Sequence, residues 1–390
     1  MATTGMRVAW LGNLANVGFN YVRVLNRGGV KAVLYAPRHD LRQASTNNPE
    51  NEYAGASREP FIQYHRRGYA SHLLNLMGRL GWMPSRERRL AASCDLIQAQ
   101  TCREIAALRI RRRYGVPYVG LVTGADLSEV AFAGTRFARL YRRALSEAGH
   151  LFLVNINQFD LVDRLDLGLA SWSYLPLCVN LERIGRMPPP AKERLVIYSI
   201  ARLDWATARP SGKGNDVFLR GYARYVRRHG AAAFDLRLRD WGSDRVATRR
   251  LVAELGIADS VRFVPAEGRE EFFRSIAAAD VVVDQFRMGA IGLAALESMA
   301  AGRAVFAWCN QDWARRAYGG AIPVLNSAGE EQVCEQLARL TPGMAAECGA
   351  VAGAWVREHH SEARILNRLR DTYAEVASRS LVQATEAGRR

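Results

Sequence analysis

"RVAWLGNLANVGFNYVRVLNRGGVKAVLYAP", residues 7–37, decides the fold class. A short apolar run, "RVAWLG" (7–12), ends in a glycine. "NVGFNYVRVLNRGG" follows with apolar residues at helical spacing, and "VKAVLYAP" (30–37) returns to a β-like run. Strand, glycine turn, helix and strand make a βαβ unit, the building block of an α/β sheet. The same stretch argues against a secretory leader. Asn and Gly interrupt the would-be apolar core, and no cleavage site is evident.

The alternation continues outward. "CDLIQAQ" (94–100), "PYVGLVT" (117–123) and "HLFLVN" (150–155) are strand candidates, with an arginine-rich helix, "REIAALRIRRRYG" (103–115), between the first two. This half closes near "SYLPLCVNLERI" (173–184). "RMPPPAKE" (186–193) carries three consecutive prolines and reads as a linker. A second α/β series then runs through "RLVIYSIARL", "DVFLRGYARYVRRHG", "DLRLRDWG", "TRRLVAELG", "VRFVPA", "REEFFRSIAAA" and "DVVVDQF". The expected organisation is an N-terminal Rossmann-like domain over 1–185 and a linker over 186–193. A second Rossmann-like domain follows over 194–355, then closing helices over 356–390 whose last residues, "ATEAGRR", should fray. Two such domains facing a central cleft place ligands beyond the C-terminal ends of the strands.

Composition narrows the function. At 390 residues the chain is comfortable for two domains, and its net charge is +16. The basic residues are 51 arginines and 3 lysines, a skew that suggests background bias as much as a basic surface. Residues 1–185 hold 24 basic against 14 acidic side chains. Such a half can attract nucleic acid, anionic lipid or a phosphorylated substrate. No RRM, KH, zinc-finger or helix-turn-helix signature is present, which argues against nucleic acid. No apolar run approaches a membrane span of about 18 residues. Cys94, Cys102, Cys178, Cys309, Cys334 and Cys348 are scattered and signal neither a disulfide framework nor a zinc site, so a reduced, cytoplasmic setting is expected. "YASHLLNLMGRLGWMPSRERR" (69–89) reads either as core packing or as an interfacial helix that would hold the chain on the inner face of a membrane. His359 and His360, as neighbours on a helix, point apart and form no metal pair. With no D-x-D motif either, no metal and no cofactor are expected.

The second half carries an ordered set of motifs: "SIARLDW", "SGKGND", "ELGIADSVRFVP", "AADVVVDQF" and "GAIGLAALESMAAGRAV". Their order and spacing resemble the donor-binding domain of the family-four retaining glycosyltransferases, which have the GT-B fold. In the first half, "LGNLANVG", "VTGADLSEVA" and "YLPLCVNLERI" resemble that family's glycine loop, its "HG-x-D-L" segment and its hinge entry. "WVREHHSEARILNRLRDTY" resembles its closing helix, so the likeness spans nearly the whole chain. The resemblance implies a nucleotide diphosphate sugar as co-substrate on the second domain. It also implies a saccharide, lipid-linked or small-molecule acceptor on the first, and same-face transfer of a hexose-type sugar.

The residues fit that chemistry. Arg202 follows an apolar strand, and Lys213 lies on a glycine-containing loop that opens a helix. Fixed cations there stabilise negative charge building on a leaving diphosphate. Lys213 is one of only three lysines, which suggests a need for a compact ammonium. Gly289, Ala290, Ile291, Gly292 and Leu293 put bare backbone at a helix start, suited to a phosphate. Glu297, a lone carboxylate among Leu, Ala and Met, needs either a wet face or a partner. In the family this Glu holds the ribose hydroxyls. Asp284, Gln285 and Val264 complete the donor set.

On the acceptor side stand Gly12, Asn13, Gly18 and Thr123, where a plain glycine turn competes with a binding loop. Asp126 reads either as a helix N-cap or as an acceptor-side catalytic carboxylate. Three departures from the family pattern stand out. Gly289 replaces the family's first Glu, which contacts the donor sugar; Thr123 stands where relatives often have His; and Asn180 stands at the hinge Asp. The first departure keeps a rival open, a non-catalytic relative of the same fold that binds nucleotide or a membrane surface.

Overall fold

The computed structural model describes residues 5–37, 47–65, 85–184, 194–207, 212–266 and 268–387. The expected linker 186–193 lies outside the described residues. So does the 69–89 stretch except for its last five residues, which begin the helix Ser85–Ala92. The chain divides into two compact units, Met1–Cys178 with Glu362–Arg390, and Val179–Ser361.

The first unit holds strands β1 (Arg7–Leu11), β2 (Lys31–Pro37), β3 (Ile62–His65), β4 (Leu96–Gln100), β5 (Tyr118–Val122), β6 (His150–Leu153) and β7 (Trp172–Tyr174). They form one sheet in the order β3-β2-β1-β4-β5-β6-β7, every pairing parallel. The second unit holds β8 (Leu195–Ser199), β9 (Phe234–Asp240), β10 (Val261–Pro265), β11 (Val281–Val283), β12 (Ala304–Ala307) and β13 (Leu325–Asn326). Their order is β10-β9-β8-β11-β12-β13, again all parallel. Both units are therefore doubly wound α/β sheets of the Rossmann type.

Burial explains which strands the sequence announces. Central strands β4, β5 and β8 are buried along their whole length. β5 and β8 read as nearly continuous apolar runs, while β4, "LIQAQ", buries Gln98 and Gln100 by hydrogen-bonding them. β9, "FDLRLRD", alternates buried and half-buried positions, as one wet face requires. The outer strands β3, β7 and β13 are two to four residues long and carry no readable pattern.

Helices are set by the same logic. In Asn215–His229, Phe218, Leu219, Tyr222, Ala223 and Tyr225 are buried in the second core. Arg220, Arg224 and Arg228, four residues apart, form an outer row that meets Glu330 and Glu331 of the helix Glu330–Arg339.

The closing region needs one correction of bounds. The sequence suggests a change of domain at residue 356, but the helix Pro342–His359 runs through that point inside the second unit. It stays there because Gly349 and Gly353 allow it to lie directly against the backbone of Gly302 and Met299. The change falls at Ser361/Glu362. The next helix, Glu362–Ala387, buries Ile365, Leu369, Tyr373 and Val376 along one stripe in the first unit. Tyr373 Oη donates to Gln98 Oε1 at 3.0 Å, and Glu362 pairs with Arg23 at 2.6 Å and Arg27 at 3.2 Å. The helix continues to Ala387, so much of the stretch expected to fray is helical.

Candidate functional site

Strand order reverses between β1 and β4 in the first unit and between β8 and β11 in the second. A crevice opens at such a point, because the two flanking connections leave the sheet on opposite faces. The sequence-derived residues Arg202, Lys213, Asp284 and Gln285 converge on the second of these.

The backbone there is over-determined. Beyond β8, Leu203 N–H donates to Trp241 O at 2.8 Å. The Asp244 carboxylate accepts from Trp205 N–H at 2.7 Å and Ala206 N–H at 2.8 Å. Lys213 joins the two strand exits: its N–H donates to Asp204 O at 2.6 Å, and its carbonyl accepts from Phe286 N–H at 2.7 Å. A side chain on such a residue is aimed by main-chain bonds on both sides.

The charges are arranged unevenly. Arg202 Nη2 donates to Asp204 Oδ2 at 2.8 Å while staying 40% exposed. Lys213 Nζ donates to Gln285 Oε1 at 2.9 Å and to Met288 Sδ at 3.4 Å. Among the described residues both of its partners are uncharged. Burial pushes the ammonium down from its ordinary value, Asp284 and Asp204 pull it back up, and Arg202 adds to the push. Asp284 is 6% exposed. Burial raises its carboxyl, opposed by Lys213 and by a long 3.3 Å bond from Gly292 N–H at the start of the helix Leu293–Ala300. Gln285 is held at both ends, since its Nε2 donates to Ala290 O. Ala290 and Ile291 are buried, and Gly292 and Leu293 are half-buried. Val264 stands apart from this group, in β10 at the sheet edge.

Gly289 has a physical explanation. Its φ is +64°, and a Cβ there would lie 2.7 Å from Trp313 Cζ3 and 3.3 Å from the Trp308 ring. Asn310 N–H binds Gly289 O at 3.0 Å and Trp308 N–H binds Gln285 O at 2.8 Å, which fixes both approaches. The family's carboxylate is not merely replaced by glycine. Two indoles fill the place where a side chain would begin.

Glu297 is 3% exposed and has a protein partner. Arg269, first residue of the helix Arg269–Ala278, grips it end-on: Nη1 donates to Oε2 at 2.9 Å and Nη2 donates to Oε1. The Arg269 guanidinium lies 4.7 Å from the Phe273 ring centroid. Sequence reasoning missed Arg269. The readable signal was a cation at a helix N-terminus, where the macrodipole favours acids and a cation therefore implies a specific partner. It also missed Trp308 and Trp313, which no local pattern marks.

The first unit's switch point is built differently. Trp10 Nε1 donates to Gln100 Oε1 at 3.0 Å, bridging the β1 and β4 exits. Gly12, at φ +107°, lets the chain turn against Gln100, and Gly18 lies against the Gly12 carbonyl. Asn13 donates to Asn16 Oδ1 at 3.1 Å and Asn47 O at 2.9 Å, and accepts from Phe19 N–H at 2.8 Å. Asp126 is neither a conventional N-cap nor an open carboxylate. It accepts from the N–H groups of Thr123 (3.0 Å), Gly124 (2.7 Å) and Leu127 (3.0 Å) and from the Thr123 hydroxyl (3.2 Å). The carboxylate offered as a catalytic group therefore closes its own loop. Asn180, in the second unit, accepts from Arg183 N–H at 3.3 Å and caps the short helix Leu181–Ile184.

Beside Asp126 sits Glu104, fully buried. Neither of its oxygens finds a hydrogen-bond donor of ordinary geometry. Burial, then the Asp126 charge, push its carboxyl up to about 8, with the backbone of Cys102 and Leu121 only partly holding it back. Sequence reasoning did not single it out.

No protein-family model matches this sequence, and no curated protein sequence matches it. Solved structures do. The sucrose-phosphate synthase of Thermosynechococcus elongatus superposes with a TM-score of 0.63 at 15% identity, covering 96% of this chain and 99% of that one. HepE of Anabaena, solved with UDP-glucose, gives 0.65 at 12% identity, covering 95% and 99%. A TarM variant of S. aureus, solved with UDP, fondaparinux and α-GlcNAc-glycerol, gives 0.63 at 9% identity, covering 94% and 99%. At these identities the likeness is one of fold. The chain has the two-unit α/β fold of the GT-B glycosyltransferases, over almost its full length.

Proposed function

We propose that this chain is a retaining glycosyltransferase that moves a hexose-type sugar from a nucleotide diphosphate sugar to a saccharide, lipid-linked or small-molecule acceptor. One observation carries the reading. At the second unit's switch point a half-buried ammonium, Lys213, is bonded, among the described residues, to an amide oxygen and a thioether, with a second cation, Arg202, close enough to influence it. Such a pair suits a diphosphate. HepE was solved with UDP-glucose and TarM with UDP, which supports a nucleotide-sugar donor in a chain of this fold.

In the proposed reaction the bond from sugar C1 to the donor phosphate oxygen breaks. The acceptor oxygen bonds C1 on the same face, and the acceptor proton passes to the departing diphosphate. Arg202 and Lys213 stabilise the charge that builds there, more in the transition state than before it. The N–H groups around Gly292 and the start of its helix add a smaller share. Glu297 holds the ribose, and Asp284 faces the transferred sugar. Asp126, with Thr123, shapes the acceptor-side loop. The reaction needs no metal, so turnover should survive a chelator.

The test is a screen of UDP-, GDP- and TDP-sugars by thermal shift, then product analysis for the responders. A ligand that binds the folded state raises the midpoint. Sugar release or transfer with the donor's anomeric configuration kept supports the proposal, and inversion removes the retaining mechanism. Gly289, closed off by Trp308 and Trp313, favours one second reading, a non-catalytic relative that binds nucleotide. Nucleotide binding with no turnover of any donor would select it.

A further inference from the structure

We infer that Arg269 is a positioning residue, which orients Glu297 to receive the two ribose hydroxyls of the donor nucleotide; this rests on the donor reading above.

The geometry is specific. The guanidinium meets the carboxylate end-on, with Nη1 on Oε2 and Nη2 on Oε1, so the carboxylate plane is fixed by the guanidinium plane. The guanidinium is placed in turn by Phe273, at 4.7 Å, and Phe272, at 5.7 Å. Exposure is 4% for the Glu297 side chain and 21% for Arg269, so the pair sits where unbalanced charge would be costly.

A carboxylate accepts up to about four hydrogen bonds, so an end-on guanidinium does not exhaust it. The two oxygens then present themselves as a fixed pair, matched to two adjacent hydroxyls. Fixing Glu297 beforehand removes the rotamer entropy that ligand binding would otherwise lose. A lysine could supply the charge but not the fork, and so could not set the plane. The pair also accounts for a cation at the first position of the helix Arg269–Ala278, against its dipole.

The experiment measures binding of UDP, GDP and ADP, each against its 2′-deoxy counterpart, by calorimetry on the full chain. The nucleotide that binds the unmodified protein should do so at least about five-fold tighter than its deoxy form, the worth of roughly one hydrogen bond. In Arg269→Gln that ratio should fall towards one, while affinity for the deoxy form moves by less than about two-fold. Arg269→Lys should give an intermediate ratio. An unchanged ratio in Arg269→Gln overturns the inference and leaves the donor reading standing. A ratio of one in the unmodified protein also overturns it. If the unmodified protein binds none of the three, the donor reading itself fails. If circular dichroism shows Arg269→Gln unfolded, Arg269→Lys decides, and an unchanged ratio there overturns the inference.

Discussion

The two switch points share a topology and differ in chemistry. In the first unit the strand exits are joined by neutral groups, with Trp10 on Gln100 and a web of asparagines around Gly12. One of its buried carboxyls, Glu104, has no cation partner among the described residues and is pushed up towards neutrality. In the second unit the buried carboxylates stand beside cations. Asp204 meets Arg202, Glu297 meets Arg269, and Lys213 pulls Asp284 back from the rise that burial imposes. A sheet crevice alone therefore does not make a phosphate site. The proposed donor site needs cations placed in it, and in the second unit Arg202 and Lys213 stand just beyond β8.

That contrast is broken most strongly at Lys213. Lys213→Ala removes the ammonium that the charge on the leaving group would meet. Turnover should fall by about 10²–10³-fold, as for loss of one preorganised donor to a developing anion. Donor affinity should fall much less, because the charge grows mainly in the transition state. Unchanged steady-state turnover would take Lys213 out of the mechanism. An equal loss in binding and turnover would make it a simple binding group.

The second prediction concerns the first unit alone. The Glu104 carboxyl lies near 8 in the folded protein against an ordinary 4.5. The unfolded chain therefore releases this proton first as pH rises. The stability it contributes is complete below about pH 4.5 and is lost as pH climbs through 8. At roughly 1.4 kcal/mol per unit of pKa, the loss between pH 5.5 and 8 is on the order of 3 kcal/mol. Glu104→Gln should flatten that slope in denaturant titrations and be the more stable protein at pH 8, with nucleotide binding unaffected. Parallel stability curves would mean that Glu104 titrates as an exposed carboxyl does.

How much of this was legible follows from what sequence encodes locally. Strands such as β8, "LVIYS", were readable because burial on both faces makes them nearly all apolar. Lys213 and Arg202 were readable because loops at the exits of such strands carry short motifs. Arg269 and Glu297 stand 28 residues apart, and nothing periodic links them. Trp308 and Trp313 enter the site only because β12 lies beside β11, a fact of strand order rather than of spacing. Asp126 was readable as a carboxylate but not as a loop closure. Its partners are backbone N–H groups whose direction depends on the turn at Thr123–Gly124.

Gly289 tests whether the departure from the family pattern is built into the site or incidental. At φ +64°, with Trp313 2.7 Å from where a Cβ would lie, Gly289→Ala should cost about 1–3 kcal/mol in equilibrium unfolding, from backbone strain and overpacking together. Gly289→Glu should lose at least as much and should not improve affinity for any donor, because the indoles hold the space. A tighter-binding Gly289→Glu protein would show that the site still has room for the missing carboxylate.

The smallest effect belongs to charges outside both crevices. Arg224 of the helix Asn215–His229 pairs with Glu330 at 3.1 Å, with side chains 42% and 36% exposed. Water screens such a pair, and ordering two long side chains offsets much of the attraction. Arg224→Ala should shift the melting midpoint by less than about 2 °C and leave nucleotide affinity unchanged. The comparison matters because Arg224 and Arg202 belong to the same unit and carry the same charge. If Arg224→Ala weakened donor binding as much as Arg202→Ala, the net positive charge of the unit would be drawing in the nucleotide. The placement of cations at the β8 and β11 exits would then explain nothing. A loss confined to Arg202→Ala assigns the effect to that placement.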